Sequence, residues 1–250
     1  MKIGAILLAD ALGVKGIWRR EDPNLVISRW NRLCQDVTQA GNLLREQKNS
    51  GPKIEWQAQM FSDTIIISGL GENPDNSTDN RFEMVMTLSQ IAMRLISGGL
   101  MQGLKMRGAV SVGELSRGGS MILGPAIDEA AQAYETANWL GFHLTPSAEE
   151  AVNVHHRVSG INIDPFAVWT PWQLPLDSGA NPTTLCIGWP LAVDAQYWGN
   201  EELFSEFGRE QFLRSIEDMA THPNNRVRAK YSNTKLFYDA YASHYRSKSQ

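Results

Sequence analysis

The sequence predicts an α+β fold, namely a ferredoxin-like palm with a C-terminal helical elaboration. Three observations predict it. Apolar runs and helically spaced stretches alternate in the order β-α-β-β-α-β over the first 145 residues, which is the order of an antiparallel sheet with helices on one face. The chain has 250 residues, enough for a sizeable core. Beyond residue 145 the regular pattern ends. We therefore expect a palm core over 1–145 and an elaboration packed on it over 146–250.

The first palm elements are marked by apolar runs and turn signals. The apolar run 3–9 predicts a central strand buried on both faces. An Asp-Pro step then opens a helix over about 24–48, whose apolar residues recur at helical spacing. Residues 54–60 and 64–68 predict a hairpin of two strands.

The second half of the palm repeats this pattern. A helix over about 81–96 ends at a Ser-Gly-Gly step. A strand over 105–115 and a short strand over 121–123 are separated by a Gly-Gly turn, and a Gly-Pro step opens a helix over about 126–139. This order completes the palm.

The elaboration has a different composition. Five prolines and three tryptophans fall between residues 165 and 190, which predicts an irregular packed segment. Two helical stretches follow, at about 200–220 and 225–243. We expect this half to pack on the palm and not to form an independent domain.

Composition excludes several function classes. Lys and Arg number 23 and Asp and Glu 27, for a net charge of −4, which disfavours nonspecific binding to nucleic acid or membrane surfaces. Cys34 and Cys186 are too few for a disulfide framework and have no neighbouring His for zinc. No run reaches the roughly 18 apolar residues of a membrane span. The apolar start lacks a signal-peptide cleavage site. We expect a cytoplasmic protein with reduced thiols and with neither a nucleic-acid nor a membrane partner.

Two aspartates are the candidate chemical groups. Asp10 ends the first strand, and Asp63 lies at the turn of the predicted hairpin. Each alone is typical of a turn or cap residue. In a palm sheet, however, the two strands are neighbours, so the carboxylates can converge. Two carboxylates at the edge of a buried sheet repel each other, and a divalent cation relieves that repulsion. The pair therefore indicates a metal site beside a phosphate-bearing substrate.

Four motifs in this order carry a family resemblance. They are Leu8-Ala9-Asp10-Ala11-Leu12-Gly13, Phe61-Ser62-Asp63, Arg107-Gly108-Ala109-Val110-Ser111-Val112-Gly113 and Gly124-Pro125-Ala126-Ile127-Asp128-Glu129-Ala130. Over about residues 3–140 the chain resembles class III nucleotidyl cyclases. The Arg-Gly-Ala-Val-Ser and Gly-Pro-Ala steps resemble those of the bacterial pyrimidine cyclases of the Pycsar anti-phage systems.

The resemblance implies a reaction and an assembly. Asp10, Asp63 and the carbonyl of Ala11 would ligate two Mn²⁺ or Mg²⁺ ions. The groups that would hold phosphates are the backbone amides of Leu12, Gly13 and Val14. The product would be cyclic UMP, or alternatively cyclic CMP, released with pyrophosphate and read by a separate effector protein in anti-phage defence. Class III sites lie between two catalytic domains, which implies a head-to-tail homodimer.

The chain departs from purine cyclases at the transition-state positions. These cyclases place an Asn and an Arg on the last palm helix, where this chain has Asp128 and Gln132. Neither residue supplies positive charge to the transition state. The candidates for the missing cation are Arg107, Lys230 and Lys235. Two of these, Lys230 and Lys235, belong to a basic stretch that would either contact the γ-phosphate, with Lys235 as the nucleotide-binding residue, or form a solvated helix face; its members are Arg226, Arg228, Lys230 and Lys235.

The base-recognition positions also depart. They fall at Gln59 and Met121, whereas adenylyl cyclases hold Lys and Asp there and guanylyl cyclases Glu and Cys. Because an amide both donates and accepts, Gln59 suits either uracil or cytosine. The pair favours a pyrimidine.

Two other functions stay open at this point. A catalytically inactive cyclase-like module that binds a nucleotide fits Asp128 and Gln132. A palm polymerase relative that makes cyclic dinucleotides or oligonucleotides is disfavoured, because Phe61-Ser62-Asp63 carries only one acid.

Overall fold

The computed structural model describes residues 1–12, 14, 17–19, 21–46, 54–71, 78–119, 121–160, 168–190, 213–214 and 216–248. Strands and helices alternate through these residues, which confirms the predicted α+β class. The strands are β1 (Lys2–Leu12), β2 (Ile54–Phe61), β3 (Thr64–Gly71), β4 (Lys105–Gly118), β5 (Met121–Leu123), β6 (Gly141–Leu144), β7 (Trp169–Gln173) and β8 (Thr183–Ile187). The helices are α1 (Pro23–Glu46), α2 (Thr78–Met101), α3 (Pro125–Thr136), α4 (Pro146–Ser159) and α5 (Asn225–Lys248). Within the described part of the chain, none of these helices combines the length and apolarity that a membrane span requires.

The strands form one mixed sheet in the order β2-β3-β1-β4-β6-β8-β7, and β5 pairs with β4. The palm strands β2, β3, β1 and β4 are antiparallel to their neighbours. Strand β1 lies between β3 and β4, and its residues 4–9 are buried. This confirms the predicted central strand, because a strand covered on both faces is apolar at successive positions.

Helices cover both faces of the palm. Alternate β1 residues point to opposite faces. Ala5 and Leu7 belong to the larger core together with α2, while Ile6 packs in a second cluster with Ala126 and Ala130 of α3. The arrangement therefore differs from the predicted single helical layer, since α3 lies on the face opposite α1 and α2. We call this second face the α3 face.

The region after α3 is more regular than predicted. Strand β6 pairs parallel to β4, and β8 and β7 extend the same sheet. The expected irregular segment at 165–190 is wrong where β7 and β8 lie. Its prolines obscured the strand pattern. Pro171 is tolerated in β7 because that strand is at the edge of the sheet, where a missing N–H donor breaks no ladder.

The last helix joins the core. Helix α5 confirms the predicted helix at 225–243. Of the predicted helix at 200–220, residues 213–214 and 216–220 are described and are helical, and the rest lie outside the described residues. Phe237 of α5 is 1% exposed and packs edge-on against Trp139 and Trp172, with ring centroids 5.0 and 5.3 Å apart. Trp139 is a core residue, and the half-buried Trp172 packs against the core.

Close packing at Gly108 gives a test of the sheet. A Cβ there would lie 2.3 Å from the carbonyl oxygen of Leu8 and 2.5 Å from the ring of Phe142. We expect Gly108→Ala to lower the free energy of unfolding by about 1–3 kcal/mol, because neither neighbour can move without distorting the sheet. Urea denaturation measures this. Gly118→Ala is the matched control in the same strand, where a Cβ has no neighbour within 4 Å. Equal losses in both variants would contradict the packing argument.

Candidate active site

The structure brings Asp10 and Asp63 together at one edge of the palm. Asp10 lies opposite Thr64 in the β1–β3 ladder, and the amide of Ala11 donates to the carbonyl of Asp63 over 2.9 Å. The hairpin turn that carries Asp63 therefore lies against the end of β1. The two carboxylates are close enough for the Asp63 charge to raise the pKa of Asp10.

Arg107 lies directly beside Asp10. The two residues are register partners across β1 and β4, and the Arg107 Nε is 3.4 Å from the Asp10 Oδ2. Both side chains are largely buried, with 14% of Arg107 and 16% of Asp10 exposed. The Arg107 Nη1 also donates to the carbonyls of Glu135 and Ala137, over 3.3 and 3.0 Å. These carbonyls mark the C-terminal end of α3, whose partial negative charge favours a cation.

The carboxyl of Asp10 is poorly compensated. Burial raises its pKa most, Arg107 lowers it, Asp63 and Glu135 raise it, and the net shift is upward. Tyr134, whose ring lies 5.5 Å from the Arg107 guanidinium carbon, also has a raised pKa because of burial and the nearby Asp10 charge. Among the described residues, Arg107 donates to the Asp10 carboxylate, which lies beside a second anion. A divalent cation fits this donor pair.

The number of protein ligands fits a metal ion that takes its remaining ligands from water and from the phosphates of a substrate. Among the described residues, no group of three or more His, Cys, Asp or Glu side chains converges as a metal site. Two carboxylates leave most positions of a Mg²⁺ or Mn²⁺ ion to backbone oxygens, water and phosphates, which is the way Mg²⁺ is commonly bound. Asp10, Asp63 and the Ala11 carbonyl are the groups that would hold it.

The predicted phosphate-binding loop is partly described. Ala11 is buried, Leu12 is half-buried at the end of β1, and Val14 is buried and accepts a hydrogen bond from the Ile17 amide over 2.8 Å. Gly13 lies outside the described residues. The role of these amides stays a prediction.

The two base-recognition positions lie on different strands. Gln59 is half-buried on β2, and Met121 is 64% exposed on β5. Arg117 of β4, the register partner of Ile122 in β5, donates to the Ser68 hydroxyl of β3 over 3.0 Å. The β4–β5 hairpin is therefore tied to the sheet strand that adjoins β2. Arg117 was not among the residues predicted for the site, since a lone arginine in a strand carries no local signal of function.

The three candidate cations lie in different surroundings. Arg107 contacts Asp10, as above. Lys230 of α5 donates to the Ala137 carbonyl over 3.4 Å and is half-buried. Lys235 is half exposed and its Nζ is 2.6 Å from the Asp239 Oδ2, a hydrogen bond that raises its pKa. The contact of Lys235 with a γ-phosphate stays a prediction.

Helix α3 carries the two predicted transition-state positions and two further groups that no motif indicated. Asp128 and Gln132 are exposed on it. Tyr134 and the Glu135 carbonyl, one turn further on, surround Arg107. The sequence placed Tyr134 and Glu135 only near the end of a predicted helix. Their contacts with Arg107 could not be predicted, because they depend on how α3 lies across the sheet.

Comparisons with known proteins bear on the fold. No family model matches the chain, and no curated protein sequence matches it. The catalytic core of a rhodopsin-guanylyl cyclase with converted specificity, in complex with ATPαS, has a TM-score of 0.51 at 11% identity and covers 74% of this chain and 94% of that one.

The chain has the fold of a class III cyclase catalytic domain.

Two further structures gave lower scores. The guanylate cyclase domain of RhGC from Catenaria anguillulae, in complex with GTP, has a TM-score of 0.49 at 11% identity, over 74% of this chain and 96% of that one. The adenylyl cyclase CyaB from P. aeruginosa has a TM-score of 0.48 at 10% identity, over 74% and 93%. At such identities the likeness concerns the fold, and function must be argued from the site.

The raised pKa of Asp10 gives a test of the site's electrostatics. The carboxyl is protonated in both folded and unfolded chains below its ordinary pKa of about 3.9, so its burial then costs no ionisation energy. Above the raised pKa of the folded state, the full cost of burying the ionised carboxylate is present. The free energy of unfolding therefore falls as the pH rises from the unfolded-state pKa to the folded-state pKa. We expect Asp10→Asn to raise the free energy of unfolding at pH 7, and to raise it less at pH 4.

Urea denaturation at the two pH values measures this difference. Glu150→Gln is the control, since Glu150 is 64% exposed in a surface ion pair with Arg157 and should change stability by less than about 0.5 kcal/mol. An Asp10→Asn variant that is less stable than the wild type at pH 7 would show that Arg107 outweighs burial.

Proposed function

We propose that the chain is a homodimeric, metal-dependent nucleotidyl cyclase that converts a pyrimidine nucleoside triphosphate, UTP in preference to CTP, into the 3′,5′-cyclic monophosphate and pyrophosphate. The observation that supports the proposal is the proximity of Asp10 and Asp63, whose backbones are hydrogen-bonded through Ala11 at the edge of the palm and whose charges interact. The Asp63 charge does not help to bury Asp10, since it raises the pKa of the Asp10 carboxyl.

The proposed reaction is an intramolecular displacement. The ribose 3′-oxygen attacks the α-phosphorus, the new 3′-O–P bond forms, and the bond to the bridging oxygen of pyrophosphate breaks. The hydroxyl proton passes to solvent, and pyrophosphate leaves. Divalent ions held by Asp10, Asp63 and the Ala11 carbonyl would lower the pKa of that hydroxyl and neutralise phosphate charge. Arg107 keeps the Asp10 carboxylate in place through their 3.4 Å contact.

The pyrimidine preference rests on Gln59 and Met121. An amide at Gln59 offers one donor and one acceptor to the edge of uracil or cytosine. Met121 carries no group that hydrogen-bonds strongly, unlike the acidic residue of adenylyl cyclases. Uracil is favoured, and CTP is the alternative substrate.

The homodimer is supported by an exposed aromatic side chain on the α3 face. Phe61 is 82% exposed and, as the partner of Thr64, lies on the same face of the sheet as Asp10. Met121 and Leu123 of β5 are also exposed, by 64% and 48%, but as register partners of Gly118 and Ser116 they point to the opposite face of the sheet. Aromatic side chains are enriched at protein interfaces. A second copy of the chain would cover Phe61 and complete the site.

The biological role follows from the resemblance. We infer that the cyclic nucleotide is a second messenger in anti-phage defence, read by a separate effector protein, and that the enzyme works in the cytoplasm, where nucleoside triphosphates are present. A nucleotide-binding module without turnover is the second candidate, favoured by Asp128 and Gln132 at the transition-state positions.

An assay with each of the four nucleoside triphosphates tests the reaction. In the presence of Mn²⁺, we expect UTP to give the most cyclic product by mass spectrometry, with one pyrophosphate per turnover. Asp63→Ala should lose roughly 100-fold or more of this activity, because the metal contributes several kcal/mol to the barrier. Glu150→Gln, a surface carboxylate variant, should keep full activity.

Each result discriminates between the candidates. Tight binding of a triphosphate with no pyrophosphate release would favour the binding module. ATP or GTP as the best substrate would contradict the pyrimidine assignment, and full activity in Asp63→Ala would contradict the metal assignment.

Phe61 gives a test of the dimer. We expect Phe61→Asp to dissociate the homodimer, since a charge buried at an apolar interface is strongly unfavourable, and to lower the activity in step. Sedimentation equilibrium measures the mass. Val158→Asp is the matched control, because Val158 is 74% exposed on α4, away from the α3 face. A wild-type monomer, or equal dissociation of both variants, would contradict this interface.

A further inference from the structure

Helix α5 brings a cation to the Asp10 site from the far end of the chain. The Lys230 Nζ is 3.4 Å from the carbonyl oxygen of Ala137, a residue 93 positions earlier in the sequence. The Arg107 Nη1 donates to the same oxygen over 3.0 Å. Lys230 and Arg107 therefore converge on one acceptor, and Arg107 in turn contacts Asp10.

Helix α5 is firmly held in this position. The Asn233 side chain donates to the Asn138 carbonyl over 2.8 Å, and the buried Thr234 hydroxyl accepts from the Leu140 amide over 2.8 Å. Phe237 packs on Trp139 in the core. The backbone that carries Lys230 is thus fixed by contacts with the segment that follows α3, and Lys230 does not need its own weak hydrogen bond to be placed there.

The surroundings of Lys230 disfavour its charged form, chiefly because the side chain is half-buried. Burial and the charges of Arg107 and Arg226 lower its pKa, while Asp177 and Asp10 raise it, and the net shift is downward. A bond of 3.4 Å to a neutral carbonyl is longer than the usual range and compensates the ammonium poorly. Lys230 and Arg107, which share this oxygen, repel each other, and a phosphate bound beside them would add to the attraction of Asp10 and Asp177.

We propose that Lys230 binds the phosphate chain of the nucleoside triphosphate, so that α5, in the C-terminal elaboration, forms part of the active site. The proposal depends on the proposed substrate class and deepens it. The ammonium lies near Arg107 and Asp10, where metal-bound phosphates would be placed, and it has hydrogens beyond the one directed at Ala137. It would supply positive charge that Asp128 and Gln132 do not.

The test compares full-length variants in their binding of inorganic tripolyphosphate with Mn²⁺, by calorimetry. Lys230→Gln keeps a donor for the Ala137 carbonyl and removes the charge. We expect it to weaken tripolyphosphate binding roughly 10- to 100-fold, the effect of losing one charge-assisted hydrogen bond, and to raise the KM for UTP by a similar factor. Lys230→Arg should restore most of the affinity. Arg157→Met, which removes an exposed cation paired with Glu150, should bind as the wild type does.

A measurement on the wild type covers the case in which Lys230→Gln fails to fold. Tripolyphosphate should protect Lys230 from acetylation, read by mass spectrometry, while the exposed Lys2 stays reactive. Equal acetylation of Lys230 with and without tripolyphosphate would overturn the proposal.

The outcomes separate this proposal from the cyclase proposal. A lysine that only neutralises the carbonyls at the end of α3 predicts a lower Tm for Lys230→Gln with unchanged tripolyphosphate affinity and KM, and that result would overturn the inference while leaving the cyclase intact. A wild type that makes no cyclic nucleotide but binds tripolyphosphate through Lys230 would support the inference and reject the cyclase.

Discussion

The buried carboxylate of Asp10 is the constraint around which the site is built. Strand β1 is so apolar that its last carboxylate is held at the edge of the core, where 16% of the side chain is exposed. The hairpin then adds the charge of Asp63, and β4 adds only one partner, Arg107, at 3.4 Å. The folded chain therefore retains unfavourable negative charge at this edge. Carboxyl groups with raised pKa values are concentrated at functional sites, and divalent cations with phosphates would relieve the cost here.

The C-terminal end of α3 holds the two cations that lie near Asp10. The carbonyls of Glu135 and Ala137 receive Arg107, and Ala137 also receives Lys230. Because α3 crosses the face of the sheet that carries Asp10, its end lies beside the carboxylate. The residues after 140 add strands to the palm sheet and, through α5, a wall to the site. The elaboration therefore contacts the palm beside the charged groups of the site, since Lys230 and Arg107 donate to the same carbonyl oxygen.

The palm could be predicted because its signals are local. The apolar run of β1, the Asp-Pro step before α1 and the paired runs of β2 and β3 each depend on a few neighbouring residues. Strands β6, β7 and β8 were missed, since they have four or five residues and Pro171 interrupts the pattern of β7. The placement of α3 on the face opposite α2 was also missed, because its amphipathic pattern does not say which side of a sheet it covers.

Local signals in the sequence were enough to predict the palm and to place Asp10 and Asp63 at neighbouring strand ends, because strand ends and hairpin turns are encoded by adjacent residues. The partners of these two residues could be seen only in the folded chain. The pairing of Arg107 with Asp10 depends on the register of β4 against β1, and the approach of Lys230 depends on the docking of α5 over a separation of 93 residues. Register and docking are set by the packing of the whole core, a sum over many distant contacts that no local pattern contains.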